Sequence, residues 1–344
     1  MNTIIIDGAY TLSYVVIGES LDNVKQYVTS KKIFIITDSN VFNLYNKRFP
    51  ECETYILEAG EENKNLTKAA DIYRWLLFNN ADRTSFILGI GGGVVCDVAG
   101  FIAATFMRGI EFGFVATTLL AQIDAAVGGK NGVNLDGYKN IVGTIVQPNF
   151  TICDTSLLKT LPQTELSNGF AEMVKHSLIS SLADFEFLES NIESLNNCDL
   201  DILTEAVNRS VKVKSDIVNL DEQELQERKK LNLGHTWGHA VEKISGLPHG
   251  FAVSIGLEFA AKFSISHQLL SQLEYQRIIS LLQKLKLPVT TNIDPKQIFE
   301  IIFSDKKKTG NQIDFILMNG IGNVVIKRVG FEEIKNFVLN PPNP

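Results

Sequence analysis

His235 and His239 stand four residues apart in the segment His235-Thr-Trp-Gly-His239. In a helix that spacing puts both imidazoles on one face, where they can share one metal ion, as HExxH helices share zinc. The glutamate of that motif is absent, because Thr-Trp-Gly fills the interior. The chain has five histidines, at 176, 235, 239, 249 and 267, and three of them fall within fifteen residues. A catalytic zinc site needs a third protein ligand and one position left for solvent or substrate. His249, in Pro248-His249-Gly250, is expected in a loop between two helices, where it can turn into a cleft. Glu172 is the acidic candidate, on a helix-like stretch (168–176) that also carries Lys175. By spacing alone His239 and His176 compete for the same metal, and spacing does not separate them.

Two further sets of residues suit anion chemistry. Gly91-Gly92-Gly93 follows an apolar run and precedes a helix-like stretch. Glycines at a strand-to-helix turn let a pyrophosphate approach the backbone, with N–H donors and the positive helix end beyond it. The strict GxGxxG pattern fails, since Val94 stands at its last glycine. Asp38 closes an earlier strand and can accept hydrogen bonds from a ribose, although the same placement suits a helix cap. Lys130, Lys139 beside Asn140, Lys175, Lys214, and Arg228 with Asn232 are cations or amides in otherwise apolar stretches. Together they can form a focused pocket for phosphate and carboxylate. Lys212, Lys229 and Lys230 read as solvated helix residues.

Positioning such groups takes a scaffold of alternating elements. Residues 32–37, 85–90 and 112–117 read as buried strands, while 66–78 and the stretch after the glycine turn to 104 read as helices. That alternation predicts βαβ units and a parallel sheet covered on both faces. Beyond about residue 155 the pattern is helical, over 165–189, 201–219, 222–246, 252–270 and 274–285, with strands only at 313–318 and 324–327. The expected fold is α/β: a Rossmann-like nucleotide-binding domain over 1–154, then a mainly helical domain for metal and substrate over 155–344, with the site in the cleft between them.

Composition excludes several classes of function. The chain has 344 residues, 45% of them apolar, which is ample for a core. Its formal charge of −7 argues against a nucleic-acid partner. No window is apolar for the length that a membrane helix needs. The N-terminus lacks a basic segment and a long apolar run, so no signal peptide is expected. Four dispersed cysteines with no CxxC pair fit a reducing cytoplasm rather than a disulfide framework.

Several segments, taken in order, resemble the 3-dehydroquinate synthase family of sugar-phosphate cyclases. They are Gly60-Glu61-Glu-Asn-Lys64, Gly91-Gly-Gly-Val-Val-Cys-Asp97, Thr117-Thr-Leu-Leu-Ala-Gln-Ile-Asp124, Val127-Gly-Gly-Lys130, Gly137-Tyr-Lys-Asn140, Phe170-Ala-Glu-Met-Val-Lys175, residues 228–239 and Leu247-Pro-His-Gly250. The resemblance covers most of the chain. It implies a dehydroquinate synthase-like fold in a homodimer, acting on a small phosphate- and carboxylate-bearing substrate. It further implies zinc on Glu172, His235 and His249, and the mixed hardness of those ligands would let cobalt replace it. His239 would face the substrate phosphate and assist proton transfer. Bound NAD would lie along Asp38, Glu61, Lys64, Gly92, Gly93, Asp97, Thr117, Thr118, Lys130 and Lys139. Asp124, Lys130, Asn140, Lys175, Lys214, Arg228 and Asn232 would hold the substrate, joined by one lysine of Asp305-Lys306-Lys307, for which Lys307 is favoured.

The reaction so implied converts 3-deoxy-D-arabino-heptulosonate 7-phosphate (DAHP) to 3-dehydroquinate and phosphate, a lyase step of the shikimate pathway to chorismate and the aromatic amino acids. It proceeds by transient oxidation, phosphate elimination, re-reduction and aldol closure. Alternatives with the same parts are another sugar-phosphate cyclase, such as a 2-deoxy-scyllo-inosose or 2-epi-5-epi-valiolone synthase, or a metal- and NAD-dependent alcohol or glycerol dehydrogenase. A nucleotide-binding regulator with a relic site would show gaps among the metal or lysine positions, and none is present. The chain departs from the family pattern at Cys96, Ala125-Ala126, Asn131 and Trp237.

Overall fold

The computed structural model describes the chain apart from Tyr10, Lys31, residues 307–310 and residues 340–344, and apart from the side chains of Asp305 and Lys306. The chain forms two compact units. The first comprises Met1–Leu166 and Leu203–Gln223; the second comprises Ser167–Ile202 and the described residues from Glu224 onward. A single cut at 154/155 is therefore not what the structure shows. Most of the helix Leu200–Leu220 returns to the first unit. Its buried face carries Leu203, Val207, Val211, Lys214 and Val218 at helical spacing. Thr204 on that helix bonds the Thr155 hydroxyl at 2.7 Å. Periodicity showed that this helix has a buried face, but not which layer covers it.

The first unit is built on a seven-stranded sheet. Its strands are β1 (Asn2–Asp7), β2 (Leu12–Ile17), β3 (Ile33–Asp38), β4 (Glu53–Leu57), β5 (Phe86–Gly91), β6 (Glu111–Ala116) and β9 (Phe150–Cys153), in the order β1-β2-β9-β6-β5-β3-β4. Only the β1–β2 pair is antiparallel. The central strands are largely apolar because both faces are covered. Phe34, Ile36, Ile87, Phe112 and Phe114 enter one core with the helices Leu66–Phe78 and Gly93–Thr105. Their neighbours Ile35, Phe86, Leu88 and Val115 enter a second core with Leu21, Val24 and Leu157. A two-stranded hairpin, β7 (Lys130–Leu135) and β8 (Tyr138–Ile145), completes the unit.

The second unit is mainly helical, with one antiparallel hairpin of β10 (Gln312–Met318) and β11 (Val324–Gly330). Two expected long helices are broken. Ser181, extended at φ −164°, accepts a hydrogen bond from the Asp184 N–H and starts a new helix, Leu182–Ser190. The expected helix 222–246 is a 3-10 turn, Glu227–Asn232, followed by Gly234 at φ 78° and then the helix His235–Ser245. Leu233, non-helical at ψ 126°, ends the first segment, and Gly234 in the left-handed region turns the chain into the second.

Candidate active site

In the first unit, β3 and β5 are neighbours, but the chain leaves β3 toward β4 and leaves β5 toward β6, on opposite sides. That reversal of strand order opens a crevice at the carboxyl ends of the two strands, where α/β sheets bind ligands. Asp38 ends β3 and Gly91 ends β5. Asp38 Oδ1 accepts from the N–H groups of Asn40 and Val41 at 2.9 and 3.0 Å, so this carboxylate is a helix cap. Gly92 is the N-cap of the helix Gly93–Thr105, with no side chain covering its donors. A Cβ on Gly92 would stand 3.0 Å from the Thr118 methyl, and one on Gly93 3.2 Å from that of Ala125. Thr117 Oγ1 is buried and has no hydrogen-bond partner among the described residues. The bare turn and the unsatisfied hydroxyl fit a diphosphate-bearing ligand.

Around this crevice the charges are paired. Lys64, nearly buried, pairs with Asp97, and Glu61 lies 4.0 Å from the same ammonium. Burial pushes the Asp97 carboxyl up to about 6, although Lys64 pulls the other way. Lys214 pairs with the Asp124 carboxylate and also donates to the Asp124 backbone carbonyl at 2.6 Å. Lys130, Lys139 and Asn140 lie exposed on β7 and β8. Asp136 and Gly137 both have positive φ, 47° and 81°, and form the two-residue turn between these strands. Asn140 is also left-handed at φ 54°, and its N–H donates to Asn134 Oδ1 at 2.9 Å. The Asp-Gly dipeptide was the signal that could have found this hairpin, because that turn type needs positive φ twice.

The second unit brings together Glu172, His235 and His249. Glu172 comes from the helix Gln163–Ser180, His235 is the first residue of His235–Ser245, and His249 is the first residue of the helix His249–Ser266 rather than part of a loop. Close helix contacts set this geometry. A Cβ on Gly250 would collide with the Asn168 carbonyl oxygen, and one on Gly256 with that of Gly234. The Asn168 side chain accepts a hydrogen bond from the Gly250 N–H at the start of the His249 helix. The contacts of Asn168, Gly250 and Gly256 were not read from the sequence; a glycine one residue beyond His249 was the available hint.

Glu172 Oε1 is faced by His235 Nε2 at 3.5 Å and by His249 Nε2 at 3.4 Å. Neither Glu172 oxygen has a hydrogen bond of ordinary geometry, although the residue is fully buried. Three ligands about 2.1 Å from one tetrahedral cation would be roughly 3.4 Å apart, so the spacing fits a divalent metal better than direct bonding. The His235 Nδ1–H donates to the Leu233 carbonyl at 3.1 Å, which leaves Nε2 pointing inward. Lys175 pairs with Glu172 Oε2, and both side chains are sealed from solvent.

Burial raises the Glu172 carboxyl, but Lys175 and the two imidazoles outweigh it and hold the group well below the usual carboxylate range. Burial and then Lys175 push His235 well down. Burial also opposes charge on His249, but Glu172 and Glu242 overcome it and bring its pKa up to about 10. His239 is exposed, and its ring stands edge-on to His235 at 5.1 Å. It is grouped with Glu242 and His249 and not with Glu172, although it shares His249 with the first group.

Arg228 is almost fully buried in the turn Glu227–Asn232, and the Asn232 amide donates to Glu224 Oε1 at 2.7 Å. Lys229 pairs with Asp314 at 2.9 Å, and Lys230 with Glu227 at 2.6 Å, so both are tied down rather than simply solvated. Lys307 lies outside the described residues.

Three of the four departures have packing roles. Cys96 is fully buried, with its sulfur 3.8 Å from the Gly91 carbonyl. The Asn131 amide donates to the Gly129 and Val146 carbonyls, and side-chain-free Gly100 leaves room for it. Trp237 stacks on Phe259, with the rings 6° from parallel. Ala125 is the methyl that faces Gly93.

Residues 54–168 match the family model described as 3-dehydroquinate synthase N-terminal, and residues 169–308 match 3-dehydroquinate synthase C-terminal. A 3-dehydroquinate synthase of Thermoanaerobacter pseudethanolicus is 39% identical over 323 residues, covering 90% of this chain and 91% of its own. The chain belongs to the 3-dehydroquinate synthase family. It is therefore an enzyme, a cyclase of the lyase type. Among solved structures, a 2-deoxy-scyllo-inosose synthase complexed with carbaglucose-6-phosphate, NAD+ and Co2+ superposes with a TM-score of 0.87 at 28% identity, covering 98% of this chain and 99% of that one. A 2-epi-5-epi-valiolone synthase from Streptomyces hygroscopicus, with NAD+ and Zn2+ bound, shares the fold at 24% identity and a TM-score of 0.88, each chain covered to 98%. The two family models meet at 168/169, beside the first crossing between the compact units at Leu166/Ser167. Among the described residues no helix is long and apolar enough to cross a membrane.

Proposed function

We propose that this chain converts DAHP to 3-dehydroquinate and phosphate, using NAD in the crevice at β3 and β5 and a divalent cation, zinc or cobalt, on Glu172, His235 and His249. The observation that carries the reading is the buried Glu172 oxygen faced at 3.4–3.5 Å by two imidazole nitrogens, in a chain of this family. Two imidazoles and a carboxylate are a donor set for zinc with one open position. Bound in these places, NAD would take and return a hydride, and the cation would polarise the oxygen at the oxidised carbon. Lys175 balances Glu172 and holds it ionised. The exposure of His239 and its ring contact with His235 support a role for it in passing a proton. Arg228 offers a preorganised guanidinium fork, and Lys130, Asn140, Lys214 and Asn232 offer ammonium and amide donors, which suit phosphate and carboxylate. Lys214 is steered by Asp124, and Asn232 by Glu224.

The test is phosphate release from DAHP with NADH absorbance followed in parallel. The reading predicts stoichiometric phosphate, no net NADH, and loss of turnover with a chelator. A dehydrogenase would accumulate NADH. A cyclase for a neutral sugar phosphate would release no phosphate from DAHP, and either result would overturn the proposal.

A further inference from the structure

The two imidazoles that face Glu172 are anchored differently. His235 is held through Nδ1 by a neutral backbone carbonyl, that of Leu233. The Nδ1–H of His249 donates to a charged group, Glu242 Oε2, at 3.2 Å. Glu242 stands seven residues after His235, two turns along the same helix and on the same face. The helix then ends at Gly246, left-handed at φ 69°, and Leu247-Pro248 carry the chain back into the helix that starts with His249. One short helix thus supplies one imidazole and holds the ring of the next. The Glu242 side chain is only 12% exposed, so little solvent competes for this bond.

We infer that Glu242 is a positioning residue for the metal centre: it fixes the tautomer and orientation of His249, so that Nε2 faces the cation, and adds a second negative charge beside it. Glu172 already shares its charge with Lys175, so the site holds less net negative charge than its ligands alone suggest. A carboxylate behind a ligating imidazole raises ligand basicity and secures ring orientation, and losing such a partner commonly weakens metal affinity by about 10–100-fold. The inference rests on the ligand set proposed above.

The test measures Zn2+ and Co2+ affinity by chelator competition on the full chain, without NAD or substrate, for wild type, E242L, E242Q and H249A. Visible absorption of the Co2+-loaded proteins is recorded alongside. E242L removes acceptor and charge and is expected to weaken binding by about 10–100-fold. E242Q keeps an acceptor for Nδ1–H and is expected to lose less, with a changed Co2+ spectrum. Wild-type affinity and spectrum in E242L would overturn the role of Glu242. If E242L does not fold, E242Q decides: affinity and spectrum both unchanged would overturn the inference, and a loss would support it. H249A separates the two levels. If H249A binds metal as wild type does, the ligand set itself falls. If H249A loses metal while both Glu242 variants keep it, only the present inference falls.

Discussion

Replacing Glu172 by glutamine tests the electrostatics of the cluster without changing its shape. Glu172 is fully buried and Lys175, one turn on, has a side chain 2% exposed. Glutamine removes the carboxylate paired with this ammonium and leaves a cation enclosed beside two imidazoles. Breaking a buried pair by removing one partner costs about 3–5 kcal/mol, because the other charge stays desolvated. An internal control lies in the first unit. Lys212 and Asp216 also form a one-turn helical pair, at 2.9 Å, but their side chains are 67% and 58% exposed. D216N should cost less than about 1 kcal/mol, since water and salt screen such a pair.

The assay is urea unfolding of chelator-treated protein, which removes metal binding from the comparison. The sign with pH follows from the depressed pKa of Glu172. Its stabilisation is complete above the ordinary carboxylate pKa and disappears as pH falls through the lower folded value, so the E172Q deficit should shrink in acid. In the double variant E172Q/K175M no charge is stranded, and it should recover much of the deficit. If E172Q were no less stable than D216N at neutral pH, or if K175M added its full cost on top of E172Q, the pair would not be coupled as described.

Other outcomes follow from the same groups. His249, with its pKa near 10 in the metal-free fold, carries a proton at neutral pH. Metal binding should therefore release about one proton and tighten about tenfold per pH unit between 7 and 9; titration calorimetry in buffers of different ionisation enthalpy reads this, and zero proton release would contradict it. Asp97, raised to about 6, binds its proton more tightly folded than unfolded. Its ionisation weakens the fold as pH rises through 6, so wild type should gain roughly 2–3 kcal/mol relative to D97N between pH 7 and pH 4, most of the shift at about 1.36 kcal/mol per unit. A flat difference would show that Asp97 is not desolvated. Gly250→Ala puts a methyl into the Asn168 carbonyl and should part Glu172 from His249, lowering bound zinc well below one per chain by metal analysis; full zinc would show that the contact yields easily.

The sheet and the turn after β5 were legible because covered parallel strands are mostly apolar, as 86–90 and 112–116 are, and because glycines mark that turn. The strands at the β1 end of the sheet were not legible. β1 and β2 pair with each other antiparallel and leave Ile5 and Tyr14 exposed, so apolarity does not mark one face. The histidine helix was legible as a chemical site, but its spacing suggested two ligands on one metal. What separates His235 from His239 is tertiary: Glu172 and His249 arrive from two other helices, through close approaches at Gly250 and Gly256 that no periodicity encodes. The break at Gly234 was equally hidden, because an isolated glycine inside a helical pattern is often tolerated. The unit boundary was missed because the helix Leu200–Leu220 belongs with strands far before it in the chain.

Bound metal and phosphate release from DAHP, measured side by side in H235A and H239A, test the division of the histidine pair most directly. H235A is expected to hold neither metal nor activity, while H239A keeps one metal per chain and loses turnover. If H239A lost its metal, or if H235A kept it, the assignment of Glu172, His235 and His249 as the ligand set would be wrong.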